Sequence, residues 1–413
     1  MLKKISVHDL RLGMHIQAFC GSWIDHPFWR SKFLLESADD LEKVRLSAVR
    51  ELWIDTAKGL DVEAGAATLA TAGTEAQADE AEEAEQKASV ERSLAPSSTA
   101  EELARAAAIC RSARGAITSM FTDARMGKAI NTAVARQVAQ DIADSVTRNS
   151  GALISLARLK TADDYSYMHS VAVCALMVAL SRQLGLTDDE ARAAGFAGLM
   201  HDLGKMDVPL EVLNKPGRLT DTEFAVVRRH PQFGHQRLVA AGITDPVVLD
   251  VCLHHHEKID GTGYPDRLGG EGVSLMARMG AVCDVYDAIT SNRPYKPGWD
   301  PAESLKRMAE WVGGHLDSRV FQAFVRSLGI YPIGSLVLLS SGKLAVVVDQ
   351  SKTSLLKPIV KTVFSTKSSE RVVPEVIDLS LPTTRQTITG REDPAKWNIP
   401  GLDELWSGQV MRP

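Results

Sequence analysis

Histidines are concentrated in the middle of this 413-residue sequence, in a pattern that indicates a metal site. Seven of the eleven lie between positions 169 and 256. A lone histidine in a helical core is usually a structural residue, but several of these stand at the ends of apolar segments, beside carboxylates. In AGLMHDLGKMDVP, His201 precedes Asp202, and the pair can bind metal together because a carboxylate can bridge two cations. Asp284, inside the apolar segment MGAVCDVYDAIT, is costly to bury unless it is paired or bound to metal.

The candidate ligands form a mixed nitrogen and oxygen set of imidazoles and carboxylates: His169, His201, Asp202, His230, His255, His256 and Asp284. Such a set suits Fe, Mn, Zn, Ni or Co better than Ca or Mg. It exceeds the needs of one tetrahedral ion, whereas two ions that share a carboxylate would leave positions for water and substrate. We therefore expect two divalent transition metals, Fe or Mn first, with Zn, Ni or Co as alternatives. Two such ions suit hydrolysis of a phosphate ester.

Helices must position these side chains. From about residue 99 to residue 330 apolar residues recur at helical spacing, without strand-like alternation. The first helix is predicted to start at Ser98 or Thr99, which can cap it. In VVRRHPQFG, Pro231 is predicted to end a helix just after His230.

Composition divides the chain into four parts, and the expected fold class is mostly α. Residues 1–60, where ELWID alternates as a strand does, predict a small α/β or β domain. Residues 61–98 are alanine-rich and acidic and predict a linker. Residues 99–334 predict an all-helical domain. In residues 335–413, SLVLLSSGKLAVVVDQ predicts two strands and KPIVKTVF a third, so this part is a small β module with a tail.

The overall composition excludes several classes of protein. With 45% apolar and 24% charged residues it is typical of an ordinary soluble protein, and the net charge of −5 gives no basic field for DNA or RNA. The apolar run VAVCALMVAL is too short to span a bilayer, and MLKKISVHDL lacks the apolar core of a secretory signal. The cysteines form no CxxC pair. We therefore expect a cytoplasmic protein without membrane or nucleic-acid partners.

Several of these motifs resemble those of a known family. The HD pair at 201–202 followed by LGK, with His169 before it and Asp284 after it, resembles the HD superfamily of metal-dependent phosphohydrolases. The segment HHEKIDGTGYP at 255–265 is similar to the HHExxDGxGYP signature of the HD-GYP subfamily, and DVYDAITSNRPYK also agrees. Residues 1–60 resemble the domain of unknown function that often precedes HD-GYP in bacterial proteins.

The resemblance covers about residues 145–330 and implies an HD-type catalytic domain. It implies hydrolysis of cyclic di-GMP, a bacterial second messenger, to linear pGpG, to GMP or to both, by attack of a metal-bridging hydroxide. It implies a first metal held by His169, His201, Asp202 and Asp284 and a second held by Asp202, His230, His255 and His256. Lys205, Arg293 and Lys296 would contact phosphate, and Asp287 could orient a ligand or the substrate. For these four the alternative is an ordinary structural or solvated side chain.

One departure from the family bears on the number of metals. Some members place a glutamate four residues before the first histidine and bind a third metal, but this chain has Tyr165 there. Asp164 is adjacent, yet it is turned by roughly 100° on a helix. We therefore expect two metals rather than three.

Other functions and partners stay open. A non-catalytic sensor or scaffold that binds cyclic di-GMP or diguanylate cyclases is the alternative, although the chain keeps every ligand. A hydrolase of another nucleotide, such as guanosine tetraphosphate, is disfavoured by the GYP and SNRPYK segments. The resemblance suggests Tyr264 as a contact for diguanylate cyclases, and a plain wall of the site is the other interpretation. His254 falls outside the signature, so we expect it to face away. A homodimer is also open.

Overall fold

The chain forms two compact units, Met1–Ser93 and Leu94–Pro413. The computed structural model describes residues 2–19, 32–47, 49–61, 94–159, 165–291, 298–351, 353–397 and 399–408, with only the backbone for Phe19, Leu46, Tyr165 and Ser166. Most of the predicted acidic linker therefore lies outside the described residues. The division into four parts stays a prediction.

The N-terminal unit is a small antiparallel sheet with one α-helix among its described residues. Its elements are β1 Leu2–Ser6, β2 His15–Phe19, β3 Phe33–Leu34, α1 Ala38–Leu46 and β4 Glu51–Asp55. The strands lie in the order β1, β4, β2, β3. In β4, Leu52 and Ile54 are fully buried, whereas Trp53 between them is 39% exposed. The alternation predicted for ELWID is therefore confirmed.

The second unit begins with helices, which confirms the prediction of a mostly α fold. They are α2 Thr99–Arg125, α3 Thr132–Arg148, α4 Ser150–Arg158, α5 Tyr165–Gln183, α6 Asp188–Met200, α7 Leu210–Leu213, α8 Asp221–Val227, α9 His230–Ala240, α10 Pro246–His254, α11 Leu275–Thr290, α12 Pro301–Ala309 and α13 Ser318–Leu328. At the start of α2 the Ser98 hydroxyl accepts the N–H of Glu101, whose carboxylate accepts the N–H of Ser98. The predicted cap is confirmed.

Helix α5 lies in the core of the helical unit. Its residues 168–181 are all buried, so it is apolar on every side rather than on one face. Helix α6 packs closely on it because glycines face it. A Cβ at Gly195 would lie 2.6 Å from Val178 Cγ2, and one at Gly198 would be similarly crowded. This contact brings the end of α6, where His201 follows, close to α5.

The apolar run VAVCALMVAL lies within this buried helix, where neighbouring helices rather than lipid surround it. Among the helices in the described ranges, none combines the length and the apolar character that a bilayer span requires.

Strands follow the helices, as predicted. They are β5 Leu336–Leu339, β6 Lys343–Asp349, β7 Ile359–Ser365, β8 Glu370–Arg371, β9 Val376–Asp378 and β10 Ile388–Arg391, and they precede the short helices α14 Pro394–Trp397 and α15 Leu402–Ser407. The sheet order is β10, β5, β6, β7, β8, with β9 also paired to β7. Strands β5, β6 and β7 pair antiparallel in succession, which confirms the three strands predicted here.

One helix boundary differs from the prediction. Pro231 does not end a helix, because α8 has already ended at Val227 and α9 begins at His230 with Pro231 in its first turn. Proline is tolerated there because the N–H groups of a first turn have no partner within the helix. His230 therefore lies at the start of a helix rather than at its end.

A glycine allows the turn after α6 to pack against α9. The 3₁₀ helix Leu203–Asp207 follows α6, and a Cβ on its Gly204 would lie 1.9 Å from the His230 carbonyl oxygen and 2.3 Å from the Gly234 nitrogen. Both are backbone atoms, which cannot rotate away. The contact holds Asp202, the residue before this 3₁₀ helix, beside His230.

We expect Gly204→Ala to destabilise the helical unit, because the new methyl group meets two backbone atoms at once. The cost should be about 1–3 kcal/mol, the usual range for overpacking. Thermal unfolding followed by circular dichroism measures it. Gly272→Ala is the control, since its Cβ would have no neighbour nearer than 4.0 Å. Equal melting temperatures for the two variants would contradict this account.

Candidate metal centre

All seven candidate ligands lie in one cluster within the helical unit. Its members are His169 in α5, His201 and Asp202 directly after α6, His230 at the start of α9, His255 and His256 directly after α10, and Asp284 in α11. All are buried except His256, whose side chain is 25% exposed. The sequence places these residues on separate helices, and the packing of those helices brings them together.

Asp202 lies at the centre of the cluster, and its two carboxylate oxygens face different histidines. Oδ2 lies 3.3 Å from Nε2 of His169 and 3.3 Å from Nε2 of His201. Oδ1 lies 3.3 Å from Nε2 of His230 and 3.9 Å from Nε2 of His255. The carboxylate therefore stands between two pairs of imidazoles, which is the position of a bridging ligand.

Asp284 forms a second link across the cluster. Its Oδ1 lies 3.0 Å from Nε2 of His169, and its Oδ2 lies 3.8 Å from Nδ1 of His256. The two carboxylates therefore flank the space that the imidazoles surround.

Three of the imidazoles are oriented by backbone carbonyl groups three or four residues earlier in the chain. The Nδ1–H of His201 donates to the Gly198 carbonyl at 2.7 Å, and that of His230 donates to Val227 at 2.8 Å. His255 donates in the same way to the carbonyl groups three and four residues before it. Each bond fixes the proton on Nδ1 and leaves Nε2 as a lone-pair donor that faces the cluster.

His169 is oriented by a carboxylate instead. Its Nδ1 lies 2.6 Å from Oδ2 of Asp287, which is 2% exposed. Asp287 in turn accepts the Ser291 hydroxyl at 3.2 Å. A histidine that binds metal commonly donates its other ring N–H to a carboxylate in this way.

The cluster contains unsatisfied polar atoms at its centre. His201 Nε2 and Asp202 Oδ1 are buried without a hydrogen-bond partner among the residues that the structure describes. Buried polar atoms normally have a partner, because leaving one unsatisfied is costly. Ligand atoms within 4.8 Å of one another form two groups, His169 with His201 and Asp202, and His230 with His255 and His256. A cation in each group would satisfy these atoms, so the residues fit two metal ions.

The charge around His169 is strongly negative. Burial alone would lower the pKa of its imidazole, but hydrogen bonds to Asp202, Asp284 and Asp287 outweigh burial and raise the pKa to about 10. A positive charge is therefore stabilised at this position, whether a proton or a metal ion supplies it.

Four of the other ligands have the protonation states that bind metal. Burial, reinforced by neighbouring imidazoles, holds the pKa of His255 well below its usual range and lowers that of His256 to about 3. Burial alone would raise the pKa values of Asp202 and Asp284, but the surrounding histidines, and Lys205 beside Asp202, hold both well below the usual range. At neutral pH these groups are neutral imidazoles and charged carboxylates.

Lys205 stands at the edge of the cluster on a turn held by two arginines. Its Nζ lies 2.5 Å from Asp202 Oδ2, and its side chain is 27% exposed. Arg237 of α9 contacts both carboxylate oxygens of Asp207 at 2.5 and 2.6 Å. Arg125, the last residue of α2, donates to the Lys205 carbonyl at 3.3 Å. The backbone that carries Lys205 is thus fixed from two helices.

The segment after His256 folds back as a loop anchored by Glu257. This glutamate is buried, and its carboxylate accepts the backbone N–H groups of Asp266 and Leu268 at 2.6 and 3.1 Å. A Cβ on Gly263 would lie 2.5 Å from the Glu257 Cα, so glycine is needed where the loop closes. The GYP loop is therefore tied to the residue next to His256.

Tyr264 and His254 lie on different sides of this segment. The Tyr264 ring is 4.8 Å from the His256 ring, so it forms part of the wall of the site. His254 contacts the carboxylates of Asp250 at 2.7 Å and Asp266 at 3.1 Å, outside both ligand groups. This position agrees with the expectation that His254 faces away.

Some predicted residues cannot be located in this cluster. Arg293 and Lys296 lie outside the described residues, and so does the side chain of Tyr165. Their phosphate contacts, and the number of metals inferred from Tyr165, stay predictions.

Two family models match the chain, and together they cover most of it. The model described as a domain of unknown function (DUF3391) matches residues 2–135, and the HD domain model matches residues 141–320. Cyclic di-GMP phosphodiesterase PA4108 of Pseudomonas aeruginosa is 54% identical over 411 residues, which are 99% of this chain and 96% of that protein. This chain belongs to the HD-GYP family. The predicted family and its N-terminal domain are confirmed.

Other relatives match only part of the chain. Cyclic di-GMP phosphodiesterase response regulator RpfG of Xanthomonas campestris is 38% identical over 179 residues, 42% of this chain and 47% of that protein. The 3'3'-cGAMP-specific phosphodiesterase 1 of Vibrio cholerae is 36% identical over 164 residues, 40% of this chain and 38% of that protein.

Sequence reasoning missed two residues that shape this HD-GYP site. Glu257 belongs to the HHEKIDGTGYP signature and directly follows two candidate ligands. An acidic residue at that position could have indicated a group that anchors the loop after the ligands. Gly204 lies within the HDLGK segment. Its tight contact with α9 cannot be read from the sequence, because the partner backbone lies on a different helix.

We expect His255→Ala to weaken metal binding by at least about tenfold, because it removes an imidazole whose Nε2 faces Asp202. His254→Ala is the matched control, since this adjacent histidine contacts carboxylates outside the ligand groups. Elemental mass spectrometry of both purified variants gives the metal-to-protein ratio. The site assignment fails if both variants lose metal equally.

Metal affinity should rise with pH. In the metal-free protein the raised pKa of His169, about 10, keeps its imidazole protonated at neutral pH, and an ion can bind Nε2 only when that proton leaves. Because the ion that His169 binds displaces one proton, its apparent affinity rises about tenfold per pH unit below that pKa. Titration of the metal-free chain with Mn²⁺ should give a Kd about 100-fold lower at pH 8 than at pH 6. A Kd independent of pH would contradict the charge assigned to His169.

Proposed function

We propose that this HD-GYP protein is a metal-dependent phosphodiesterase that hydrolyses cyclic di-GMP. The observation that carries the proposal is the buried Asp202 carboxylate, whose two oxygens face two separate groups of histidines. Two adjacent cations suit hydrolysis of a phosphodiester. The substrate is supported by the relative named Cyclic di-GMP phosphodiesterase PA4108, which this chain matches over nearly its whole length.

In this proposal Asp202 would help to hold both ions. The first ion would be held by His169, His201, Asp202 and Asp284, and the second by Asp202, His230, His255 and His256. When bound, the ions lower the pKa of a water and offset the negative charge that develops on the phosphoryl oxygens. The mixed imidazole and carboxylate set suits Fe, Mn, Zn, Ni and Co. Of these we propose Fe or Mn first, with Zn, Ni or Co as alternatives.

The residues around the ligands fix the orientation of the histidine rings. Asp287 holds His169 through Nδ1, so Nε2 is left to face Asp202 and Asp284. The carbonyl groups behind His201 and His230 act in the same way. Because each ring is fixed through its other nitrogen, the ligands need little rearrangement when an ion binds.

Lys205 is proposed to face the scissile phosphate. Its ammonium group lies at the partly exposed edge of the cluster, where it can offset phosphate charge while it contacts Asp202. Arg293 and Lys296 are proposed as further phosphate contacts on the family pattern alone. Arginine would supply two parallel donors and lysine a point charge.

Turnover is favoured over a non-catalytic sensor because every predicted ligand lies in the one cluster. The balance of pGpG and GMP products, a homodimer, a cytoplasmic location and a contact between the GYP loop and diguanylate cyclases stay predictions.

The metal-loaded full chain should convert cyclic di-GMP to pGpG, GMP or both, as resolved by ion-pair chromatography. A chelator should abolish product formation, and Mn²⁺ or Fe²⁺ should restore it. Asp202→Asn keeps the side-chain shape but removes the shared charge, so kcat/KM should fall by about 10²–10³-fold or more.

Asp189→Asn is the matched control for this substitution, because the Asp189 side chain is 91% exposed. Its kcat/KM should equal that of the unchanged chain. A metal-loaded protein that binds cyclic di-GMP but forms no product would refute the enzyme and support the sensor.

A further inference from the structure

A cavity of about 620 Å³ opens directly beside the metal centre. It reaches His256 and Asp284 of the cluster, and its other walls include Lys258, Glu310 and Trp311. Pockets of about 300–1,000 Å³ are typical of small-molecule sites. The cavity therefore has room for a nucleoside attached to a phosphate at the metal centre.

One wall of the cavity is aromatic. The rings of Trp311 and His315 lie 6.4 Å apart at an angle of 32°, and Phe224 and Tyr264 also line the space. Burial, reinforced by the charge of Lys258, lowers the pKa of His315, so its ring is neutral at pH 7. Neutral aromatic rings offer stacking faces to a planar base.

Backbone hydrogen bonds join this aromatic wall to the segment that follows the candidate ligands His255 and His256. The N–H of Ile259 donates to the His315 carbonyl at 3.3 Å, and the N–H of Asp260 donates to the Gly314 carbonyl at 2.9 Å. These residues follow His255 and His256 within a few positions. The wall is therefore held at a fixed distance from the metal centre, as a site for one defined part of a substrate must be.

The polar groups of the cavity indicate which base fits. Glu310 follows α12 and presents an exposed carboxylate, which only accepts hydrogen bonds, and Lys258 presents an ammonium group, which only donates. Guanine offers the complementary edge, with an acceptor at O6 and donors at N1–H and N2–H. Adenine has a donor where guanine has O6 and an acceptor at N1, so it leaves these groups mismatched.

We propose that this cavity binds a guanine base of the substrate, stacked on Trp311 with its Watson–Crick edge bonded to Glu310. The proposal rests on the proposed function for the identity of the substrate, and it adds residues that select the base. Lys258 would complete the selection at O6. A carboxylate discriminates between bases because a base without matching donors forms no hydrogen bond with it.

Calorimetric titration of the metal-loaded full chain with GMP and with AMP tests the proposal. Both nucleotides carry the same phosphate, so a difference in Kd reports the base. We expect GMP to bind more tightly. Glu310→Gln should raise the Kd for GMP by about tenfold, the loss of one charge-assisted hydrogen bond, with a much smaller effect on AMP.

Trp311→Ala should raise the Kd for both nucleotides by similar factors, about fivefold to 100-fold, because every base stacks. Trp311→Phe keeps an aromatic face and should recover most of the affinity. Glu370→Gln, at an exposed position in β8, is the matched control for the charge change. A merely structural role for Glu310 would change both Kd values together.

Equal Kd values for GMP and AMP in the unchanged chain, no binding of GMP, or an unchanged GMP affinity in Glu310→Gln would overturn the proposal. Hydrolysis of cyclic di-GMP is measured separately on the same proteins. A chain that prefers GMP but forms no product keeps the guanine site and loses the proposed enzyme activity. A chain that hydrolyses cyclic di-GMP without base preference keeps the activity and loses the guanine site.

Discussion

The Asp202 carboxylate must remain charged where water hardly reaches it, and the rest of the site depends on that constraint. The residue is 3% exposed. Burying an isolated charge costs several kcal/mol, so the surrounding groups must compensate. The Lys205 ammonium group and four imidazoles surround the carboxylate, yet its Oδ1 still lacks a hydrogen-bond partner among the described residues. A cation bound by the carboxylate and its histidines would meet this need and would make metal binding part of the electrostatic balance of the core.

Two kinds of hydrogen bond orient the imidazole ligands for that cation. They differ in the sequence separation between the histidine and its partner. His201, His230 and His255 use carbonyl groups three or four residues away, so their ring orientation follows from local helical geometry. His169 depends on Asp287, which lies more than a hundred residues later in sequence. The first kind survives small shifts between helices, whereas the second requires α5 and α11 to pack correctly. The His169 position is therefore where packing and metal binding are most directly coupled.

Glycine and glutamate link the metal centre to its surroundings. Gly204 allows the turn after α6 to touch the α9 backbone, and Gly263 allows the GYP loop to close on Glu257. Glu257 holds this loop through two backbone N–H groups, and the same segment bonds to the aromatic wall at Gly314 and His315. Metal ligands, loop and cavity wall thus share one stretch of backbone. A change in the loop would reach both the metal centre and the cavity beside it.

The sequence by itself determined the local features, because residue type and spacing along one helix or strand are enough to specify them. The Ser98 cap, the alternation of ELWID, the mostly α class and the family membership follow from such patterns. The boundary at Pro231 was predicted wrongly because proline is compatible with both the end of one helix and the first turn of the next.

Only the tertiary structure decided which Asp202 oxygen faces which histidines, why position 204 must be glycine, and that Glu310 and Trp311 line a cavity beside Asp284. These relations join residues that are distant in sequence. They depend on how the helices pack. A short-range sequence pattern does not specify which atoms of another helix lie across a packing contact.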